Sequence, residues 1–146
     1  MDSKTYPLDP QTIKFFDGQH NSAEWFAIVV GYQHKLKKST AKTWLLFEPD
    51  SFLFSAMFYA LLAAGKSIFL PQNAQPEHIR EIKAQVQASI GCAAIDPDLI
   101  TQSHWPSQPS FCLDIKADAE ITFFTSGSTG QAKAIVKQFS HLQTEI

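Results

Sequence analysis

Charged residues are few in this 146-residue sequence, at 18% of the total, and the net charge is −2. A nucleic-acid-binding protein normally presents a basic face, but the only short cluster of lysines here is Lys35, Lys37 and Lys38. We interpret these three as the solvated end of a helix, where cations complement the helix dipole. The composition therefore weighs against nucleic acid as a partner.

The sequence also has few cysteines and few long apolar runs. The two cysteines, Cys92 and Cys112, could pair only if they were close in space; because nothing else indicates an oxidising compartment, we interpret them as buried thiols. The richest apolar stretch, Phe52 to Ala64, is too short to span a bilayer and fits a buried helix. The first residues, from Met1, lack the apolar core of a signal peptide. We therefore expect a cytoplasmic protein without a membrane span.

Apolar residues are what the sequence has in quantity. Hydrophobic side chains make up 45% of the chain, and 12 of the residues are phenylalanine. A chain of this length and composition can fold around one core without cross-links. One domain is therefore expected.

Short apolar runs alternate with helix signals from Thr43 to Ile95. Thr43–Phe47 and Ser67–Leu70 are unbroken runs, as expected for strands buried on both faces. The predicted helices run from about Asn21 to Lys38, from Phe52 to Ala64, and from Pro76 to just before Gly91. The remaining predicted strands are Cys92–Ile95, Phe111–Leu113, Ile121–Phe124 and Ala134–Val136, with a loop at Asp96–Pro109.

The order of these elements predicts the fold class. Because the connections between strands are long enough for right-handed crossovers, neighbouring strands are expected to be parallel. We therefore predict an α/β fold in three layers, with a mostly parallel sheet flanked by helices.

The segment F-T-S-G-S-T-G-Q-A-K, from Phe124 to Lys133, is the part of the sequence that indicates chemistry. Its two glycines, Gly127 and Gly130, let the backbone turn tightly and approach a ligand. The neighbouring hydroxyls and the N–H groups of the turn can donate to phosphate oxygens, and Lys133 adds a positive charge. The preceding strand places the segment at a sheet edge, where α/β proteins usually bind ligands. The pattern predicts a site for triphosphate or pyrophosphate.

Other interpretations of this segment fit less well. A Ser/Thr/Gly cluster seen alone is most often a surface turn, but here an apolar strand precedes it and a lysine and a second strand follow. A Walker A loop is excluded because Gly127, Gly130 and Lys133 miss its spacing. A G-x-S-x-G elbow is excluded because Ser128 follows Gly127 directly. A plain α/β domain with a Ser-rich turn remains the third-ranked hypothesis.

The segment closely resembles the signature loop of the adenylate-forming (AMP-binding) superfamily, which includes acyl-CoA synthetases, luciferases and carrier-loading adenylation domains. The usual form of that loop is an aromatic residue followed by T-S-G-S/T-T-G-x-P-K-G. This chain matches it from Phe124 to Gly130 and again at Lys133. Together with weaker upstream similarities, the resemblance extends from about residue 13 to residue 146.

The upstream similarities and the departures are both specific. Glu24 matches an early helix start, while Glu48–Ser51 and Leu62–Gly65 match the turns on either side of an apolar helix. Within the loop, Ala132 stands where the family has proline and Ala134 where it has glycine. The missing glycine matters only if its position needs a positive φ or a very close ligand approach.

The resemblance implies an enzyme that makes an acyl-adenylate from a carboxylic acid and ATP with Mg2+. The acyl group would then pass to the thiol of CoA or of a phosphopantetheine-bearing acyl carrier protein. The loop would hold the β- and γ-phosphates and help to expel pyrophosphate, with Lys133 and Thr125 in catalytic roles. The implied nucleotide-binding residues are Thr125, Ser126, Gly127, Ser128, Thr129, Gly130 and Lys133.

In that family the adenine-, ribose- and metal-binding parts follow this loop. The resemblance therefore implies that residues 1–146 are a single N-terminal fragment of an AMP-binding domain, ending just after the loop and inactive without the remainder of the parent ligase. The alternative is a truncated, non-catalytic protein that binds a nucleotide or a partner, supported only by Ala132 and Ala134. Neither reading indicates which acid is activated.

No metal site is predicted. The histidines are scattered without the spacing of metal ligands, and the aspartates of the loop-like regions have no catalytic pattern. The residues left without a role on these grounds are His20, His34, His78, His104, Asp96, Asp98, Asp114 and Asp118.

Overall fold

A computed structural model of the chain describes residues 5–8, 22–100, 113–126 and 132–144. Strand and helix alternate through the middle of the chain, as the sequence predicts. In chain order the elements are β1 (Thr5–Leu8), α1 (Ser22–Lys38), β2 (Thr43–Phe47), α2 (Ser51–Ala63), β3 (Ser67–Leu70), α3 (Pro76–Lys83), β4 (Ala88–Gly91), β5 (Leu99–Ile100), β6 (Leu113–Lys116), β7 (Glu120–Ser126), β8 (Ala132–Gln138) and α4 (Phe139–Thr144).

Six of the strands form the main sheet, in the spatial order β5-β4-β2-β3-β7-β8. Within it β2 is parallel to β3 and β4, β3 to β7, and β4 to β5, whereas β8 runs antiparallel to β7. The sheet is therefore mostly parallel, as predicted. β1 and β6 form a separate antiparallel pair in which Tyr6 lies opposite Ile115.

Helices cover both faces of the main sheet. On one face α1 and α2 share a buried cluster with Trp44 and Leu46, and on the other Ile79 and Ile82 of α3 pack with Leu45. The three consecutive residues of β2 alternate between the faces because successive strand side chains point in opposite directions. Burial on both faces explains why β2 is an unbroken apolar run. The predicted three-layer architecture is confirmed.

The ends of α2 follow the predicted capping chemistry. The carboxylate of Asp50 accepts a hydrogen bond from the Leu53 N–H at 3.0 Å, which satisfies one of the free donors of the first turn. After the helix, Gly65 adopts a φ of 77°, the left-handed conformation typical of a residue that ends a helix.

Lys66 is a buried lysine next to that turn, with 7% of its surface exposed. Its Nζ donates to the carbonyl oxygens of Ser39 and Ala41, at 2.9 and 2.7 Å, just beyond the end of α1. Desolvation on burial, and secondarily the charge of Lys42, lowers the pKa of Lys66 below its ordinary value. The residue therefore ties the end of α1 to the start of β3.

The fourth strand differs from its prediction. The predicted strand Cys92–Ile95 is wrong: the strand is Ala88–Gly91, and Ala93–Ile95 forms a 3₁₀ turn. Correspondingly, α3 ends at Lys83, earlier than predicted. The physical reason is pairing, because residues 88–91 lie in register with residues 44–47 of β2.

β4 has no unbroken apolar run in the sequence because it contains a buried serine, Ser89. Ser89 is 2% exposed, and its N–H and Oγ both donate to Oδ2 of Asp98, at 2.9 and 3.1 Å. These bonds satisfy a polar residue that would otherwise be costly to bury. They also hold Asp98 beside the next strand, β5 (Leu99–Ile100). Because β5 lies within Asp96–Pro109, the prediction that this whole segment is a loop is wrong.

Other predictions fall partly outside the described residues. Of the predicted strand Phe111–Leu113, only Leu113 is described; it begins β6, which pairs with β1 and not with the main sheet. Cys92 is a free, half-buried thiol, so it is more exposed than predicted, while Cys112 and Asn21 are not described. Among the described helices, none has the length and apolarity needed to cross a membrane.

Candidate functional site

The parallel strands of the main sheet all end at one edge, and this carboxyl edge is where the candidate site lies. α2 leaves β2 on one face of the sheet, whereas α3 leaves β3 on the other. Connections that diverge in this way open a crevice between the carboxyl ends of the two strands, and such switch points are where α/β proteins bind ligands. β7, which leads into the candidate loop, lies next to β3 at this edge.

The candidate loop connects the two arms of an antiparallel hairpin. β7 and β8 pair in regular register to their ends, with Thr125 opposite Lys133 and Ser126 opposite Ala132. Side chains directly opposite each other in an antiparallel pair lie on the same face, with Cβ atoms about 5 Å apart. The hairpin therefore brings together Thr125 and Lys133, the two residues with predicted catalytic roles.

The side chains of this pair are available to a ligand. Thr125 and Lys133 are both exposed. Within the described part of the chain, neither the Lys133 ammonium nor the Thr125 hydroxyl forms a hydrogen bond or ion pair. The other predicted site residues, Gly127, Ser128, Thr129 and Gly130, lie outside the described residues, and of Ser126 only the backbone is described. Their predicted roles stay predictions.

Phe124, the aromatic residue that opens the signature, is a core residue. It is buried in the cluster that contains Leu45, Ile79 and Ile82. Its ring lies 6.2 Å from that of Phe69, centroid to centroid. The strand is thus anchored one residue before Thr125, which gives the start of the loop a fixed position.

An apolar cavity of about 290 Å³ opens at the same edge. Alternation along β7 puts Thr125 on the same face as Phe123, which lines the cavity. Among the described lining residues Glu48 alone is ionisable, and its Oε2 accepts a hydrogen bond from the Asp50 N–H at 3.1 Å. The lining residues are Leu46, Phe47, Glu48, Phe54, Leu70, Pro71, Phe123 and Phe124.

The two departures from the family signature lie in regular strand. Ala132 and Ala134 belong to β8, and Ala134 is exposed opposite Phe124. Of the described non-glycine residues, Asp96 alone has a positive φ. Ala134 therefore adopts an ordinary backbone conformation, and the loss of the family's glycine introduces no backbone strain there.

His78 is a residue near the site that the sequence left without a role. Its ring meets the Phe124 ring edge-on, with centroids 5.7 Å apart. The sequence signal that could have indicated it is the position of His78 in the first turn of α3, because that helix begins at the carboxyl edge, where β3 ends. In the ranges that the structure describes, no group of three or more His, Cys, Asp or Glu residues is arranged to hold a metal ion.

Comparisons with known sequences gave no match, either to a protein-family model or to a curated protein. Comparisons with solved structures did. The fold matches O-succinylbenzoate coenzyme A synthetase (MenE) of Bacillus subtilis, solved in complex with AMP, with a TM-score of 0.68 and 13% identity over 97% of this chain and 45% of that one.

Two further matches cover similar parts of other proteins. The N-terminal domain of FACL13 from Mycobacterium tuberculosis matches with a TM-score of 0.58 and 16% identity, over 84% of this chain and 38% of that one. The N-terminal subdomain of Klebsiella oxytoca NpsA matches with a TM-score of 0.56 and 15% identity, over 82% and 35%. The chain thus shares the fold of a part of these proteins and spans less than half the length of each matched chain, which confirms the predicted fold.

Proposed function

We propose that this chain is the N-terminal part of a ligase that activates a carboxylic acid with ATP and transfers the acyl group to a thiol. The observation that carries the proposal is the β7–β8 hairpin, in which Thr125 and Lys133, both exposed, lie opposite each other at the carboxyl edge. The hairpin also bears the signature of the adenylate-forming superfamily from Phe124 to Lys133. The proposed substrates are ATP, a carboxylic acid, and CoA or an acyl carrier protein.

The proposed role of the hairpin is to bind and stabilise the departing pyrophosphate. When the carboxylate attacks the α-phosphorus, the bond to the bridging oxygen breaks and negative charge accumulates on the β- and γ-phosphates. The Lys133 ammonium would oppose that charge, and the Thr125 hydroxyl would donate a hydrogen bond to a phosphate oxygen. Donors already fixed in place stabilise such a transition state without reorganisation. The hydroxyls and N–H groups of residues 126–130 are proposed to complete the cradle.

Mg2+ is proposed to enter with the nucleotide. In such sites the ion is bound mainly through phosphate oxygens, water and one or two carboxylates. The described residues provide no dedicated metal cage, so we assign no metal ligand to this chain. When bound, the ion would offset phosphate charge, and the contribution of this chain would be to orient the phosphates through Lys133 and Thr125.

The structural neighbours support this type of chemistry. Bacillus subtilis MenE has been solved with AMP and with the acyl-adenylate OSB-AMP, and a double mutant of it with the product analogue OSB-NCoA. The NpsA N-terminal subdomain has been solved with 3-hydroxybenzoyl-AMSN. By analogy, we propose that the remainder of a parent ligase binds most of the adenine, the ribose and the acid. We also propose that the reaction takes place in the cytoplasm.

Acid-dependent exchange of pyrophosphate into ATP tests the proposal. The assay uses the longest polypeptide that its gene encodes around residues 1–146, with fatty, aryl and amino acids as substrates. Exchange with at least one acid is expected. Lys133→Gln should lower the exchange rate on the order of 10²-fold, the effect typical of losing one preorganised donor.

Lys137 provides the matched control for that variant. It lies on the same face of β8, four residues and about 13 Å further along the strand. Lys137→Gln should therefore change the rate by less than about twofold, since it is beyond contact with the phosphates. Absence of exchange with every acid would contradict the ligase, and equal rates in the two variants would remove Lys133 from the mechanism.

A non-catalytic nucleotide-binding protein is the second candidate. Ala132 and Ala134 favour it, because both depart from the family signature. The ordinary backbone at Ala134 weakens that argument. Pyrophosphate binding by this chain, without any acid-dependent exchange by the longer polypeptide, would identify the second candidate as correct.

A further inference from the structure

His78 touches two segments that end at the candidate site. Its Nε2 accepts a hydrogen bond at 2.9 Å from the N–H of Gln72, two residues past the end of β3. Its ring meets that of Phe124 edge-on, with an interplanar angle of 80°. Phe124 directly precedes Thr125. The imidazole thus forms a bridge between the β3–α3 connection and the last anchored residue before the loop.

This bridge requires a neutral imidazole. A neutral histidine has one donor and one acceptor nitrogen, so a ring that accepts at Nε2 carries its proton on Nδ1. A protonated ring has donors at both nitrogens and would turn an N–H toward the N–H of Gln72. Protonation of His78 therefore breaks the contact with Gln72.

Among the described residues, the two groups in contact with the ring are uncharged: a backbone amide of the β3–α3 connection and the phenyl ring of β7. On its own helix the neighbouring charged residues are Glu77, Arg80 and Glu81, all exposed. Directly after β2, Glu48 lines the cavity that Phe124 also lines. Across the described residues, none of these groups forms an ion pair with His78.

We propose that His78 is a positioning residue for the candidate phosphate site. Its neutral ring ties Gln72 to Phe124 and thereby fixes Thr125, the first residue that would contact phosphate. Pro71 and Phe124 line the same cavity, so the bridge also sets the spacing of two of its walls. The inference rests on the proposed function, because it assigns His78 to that site and predicts weaker phosphate binding when the ring is protonated.

A ligand-free measurement tests the bridge itself. Amide NMR spectra of the 146-residue chain are recorded between about pH 5 and 8, the range in which histidine titrates. The Gln72 and Thr125 amide signals are expected to shift with the same midpoint as the His78 ring signals, and to lose that transition in His78→Gln. A Thr125 signal that does not follow the ring would overturn the proposal, whether or not phosphate binds.

A binding measurement tests the consequence. Pyrophosphate affinity is measured over the same pH range for the wild type, His78→Gln, His78→Phe and the control His34→Gln, which alters an exposed histidine of α1. Glutamine retains an acceptor that does not titrate, and phenylalanine retains a ring without an acceptor. Because pyrophosphate itself titrates, each variant is compared with the wild type at the same pH, after circular dichroism confirms that it is folded.

The ratio of the wild-type affinity to the His78→Gln affinity should fall about fivefold as the pH is lowered through the His78 midpoint. A factor of about five corresponds to the loss of one net hydrogen bond. His34→Gln should keep a constant ratio, and His78→Phe should bind about fivefold more weakly than the wild type at the upper end of the range. A constant ratio for His78→Gln would overturn the proposal. If no protein binds pyrophosphate, the proposed function fails, and the amide spectra still decide the role of His78.

Discussion

Gly91 ends β4 against β2, and its replacement by alanine tests how closely these two central strands must approach. Its φ is 151°, in a region that residues with a side chain rarely adopt. A Cβ at this position would lie 1.9 Å from the carbonyl oxygen of Phe47 and 2.8 Å from its carbon. Both are backbone atoms of the neighbouring strand, so no side-chain rotation relieves the clash.

The magnitude follows from two contributions. A non-glycine residue in a glycine-only backbone conformation costs about 1–3 kcal/mol. Separating the strands also breaks the hydrogen bond from the Cys92 N–H to the Phe47 oxygen, at 3.1 Å, which contributes about 1 kcal/mol net. Gly91→Ala should therefore lower the free energy of unfolding by about 2–4 kcal/mol, a large part of the 5–15 kcal/mol typical of a domain.

Gly65→Ala is the matched control. Gly65 also has a positive φ, but a Cβ there would have no heavy atom within 4 Å. Its replacement should lower the free energy of unfolding by only about 1–2 kcal/mol, the cost of the left-handed conformation. Urea unfolding followed by circular dichroism measures both, with equal m-values as the sign that the two-state comparison is valid. If Gly91→Ala lost no more stability than Gly65→Ala, the close approach of β4 to β2 would be refuted.

Two further predictions concern stability. Asp50→Ala should lower the free energy of unfolding by about 1 kcal/mol, because the Leu53 N–H loses its cap, whereas Asp50→Asn should retain most of it; urea unfolding distinguishes the two. Because burial lowers the pKa of Lys66, the folded protein releases that proton at a lower pH than the unfolded chain does. The stability of the wild type relative to Lys66→Met should therefore rise with pH between the lowered pKa and the ordinary value of 10.5. If the difference in Tm between the two proteins stayed flat or fell over this range, a lowered pKa of Lys66 would be contradicted.

The fold was largely predictable because each central element carries a local signal. β2 and β3 are unbroken apolar runs, since both of their faces are buried. α2 begins after a capping aspartate and ends at a glycine in the left-handed conformation. These signals lie within a few residues of the structure that they specify.

β4 and β5 were missed because their determinants lie elsewhere in the chain. Ser89 reads as polar in the sequence and is buried only because Asp98 accepts its hydrogen bonds. The two-residue β5 has no pattern of its own and depends on pairing with β4. Similarly, no sequence signal predicted that β6 would leave the main sheet to pair with β1.

The candidate site was also predictable only in part. The signature from Phe124 to Lys133 was visible as a motif, and a strand on each side of it was predicted. The register that places Thr125 opposite Lys133 became known only from the pairing of β7 with β8. The contact of His78 with Phe124 joins residues 46 positions apart, and no local pattern encodes it.

Titration of pyrophosphate into the 146-residue chain, followed by amide NMR spectra, tests the central claim most directly. The account predicts saturable shifts at Thr125 and Lys133, with no comparable shift at Gly65, which precedes β3 at the opposite edge of the sheet. Lys133→Gln should weaken this binding, because a charge-assisted contact is lost. Shifts that do not saturate and are spread over all lysines, or none at Thr125 and Lys133, would contradict a phosphate site at this hairpin.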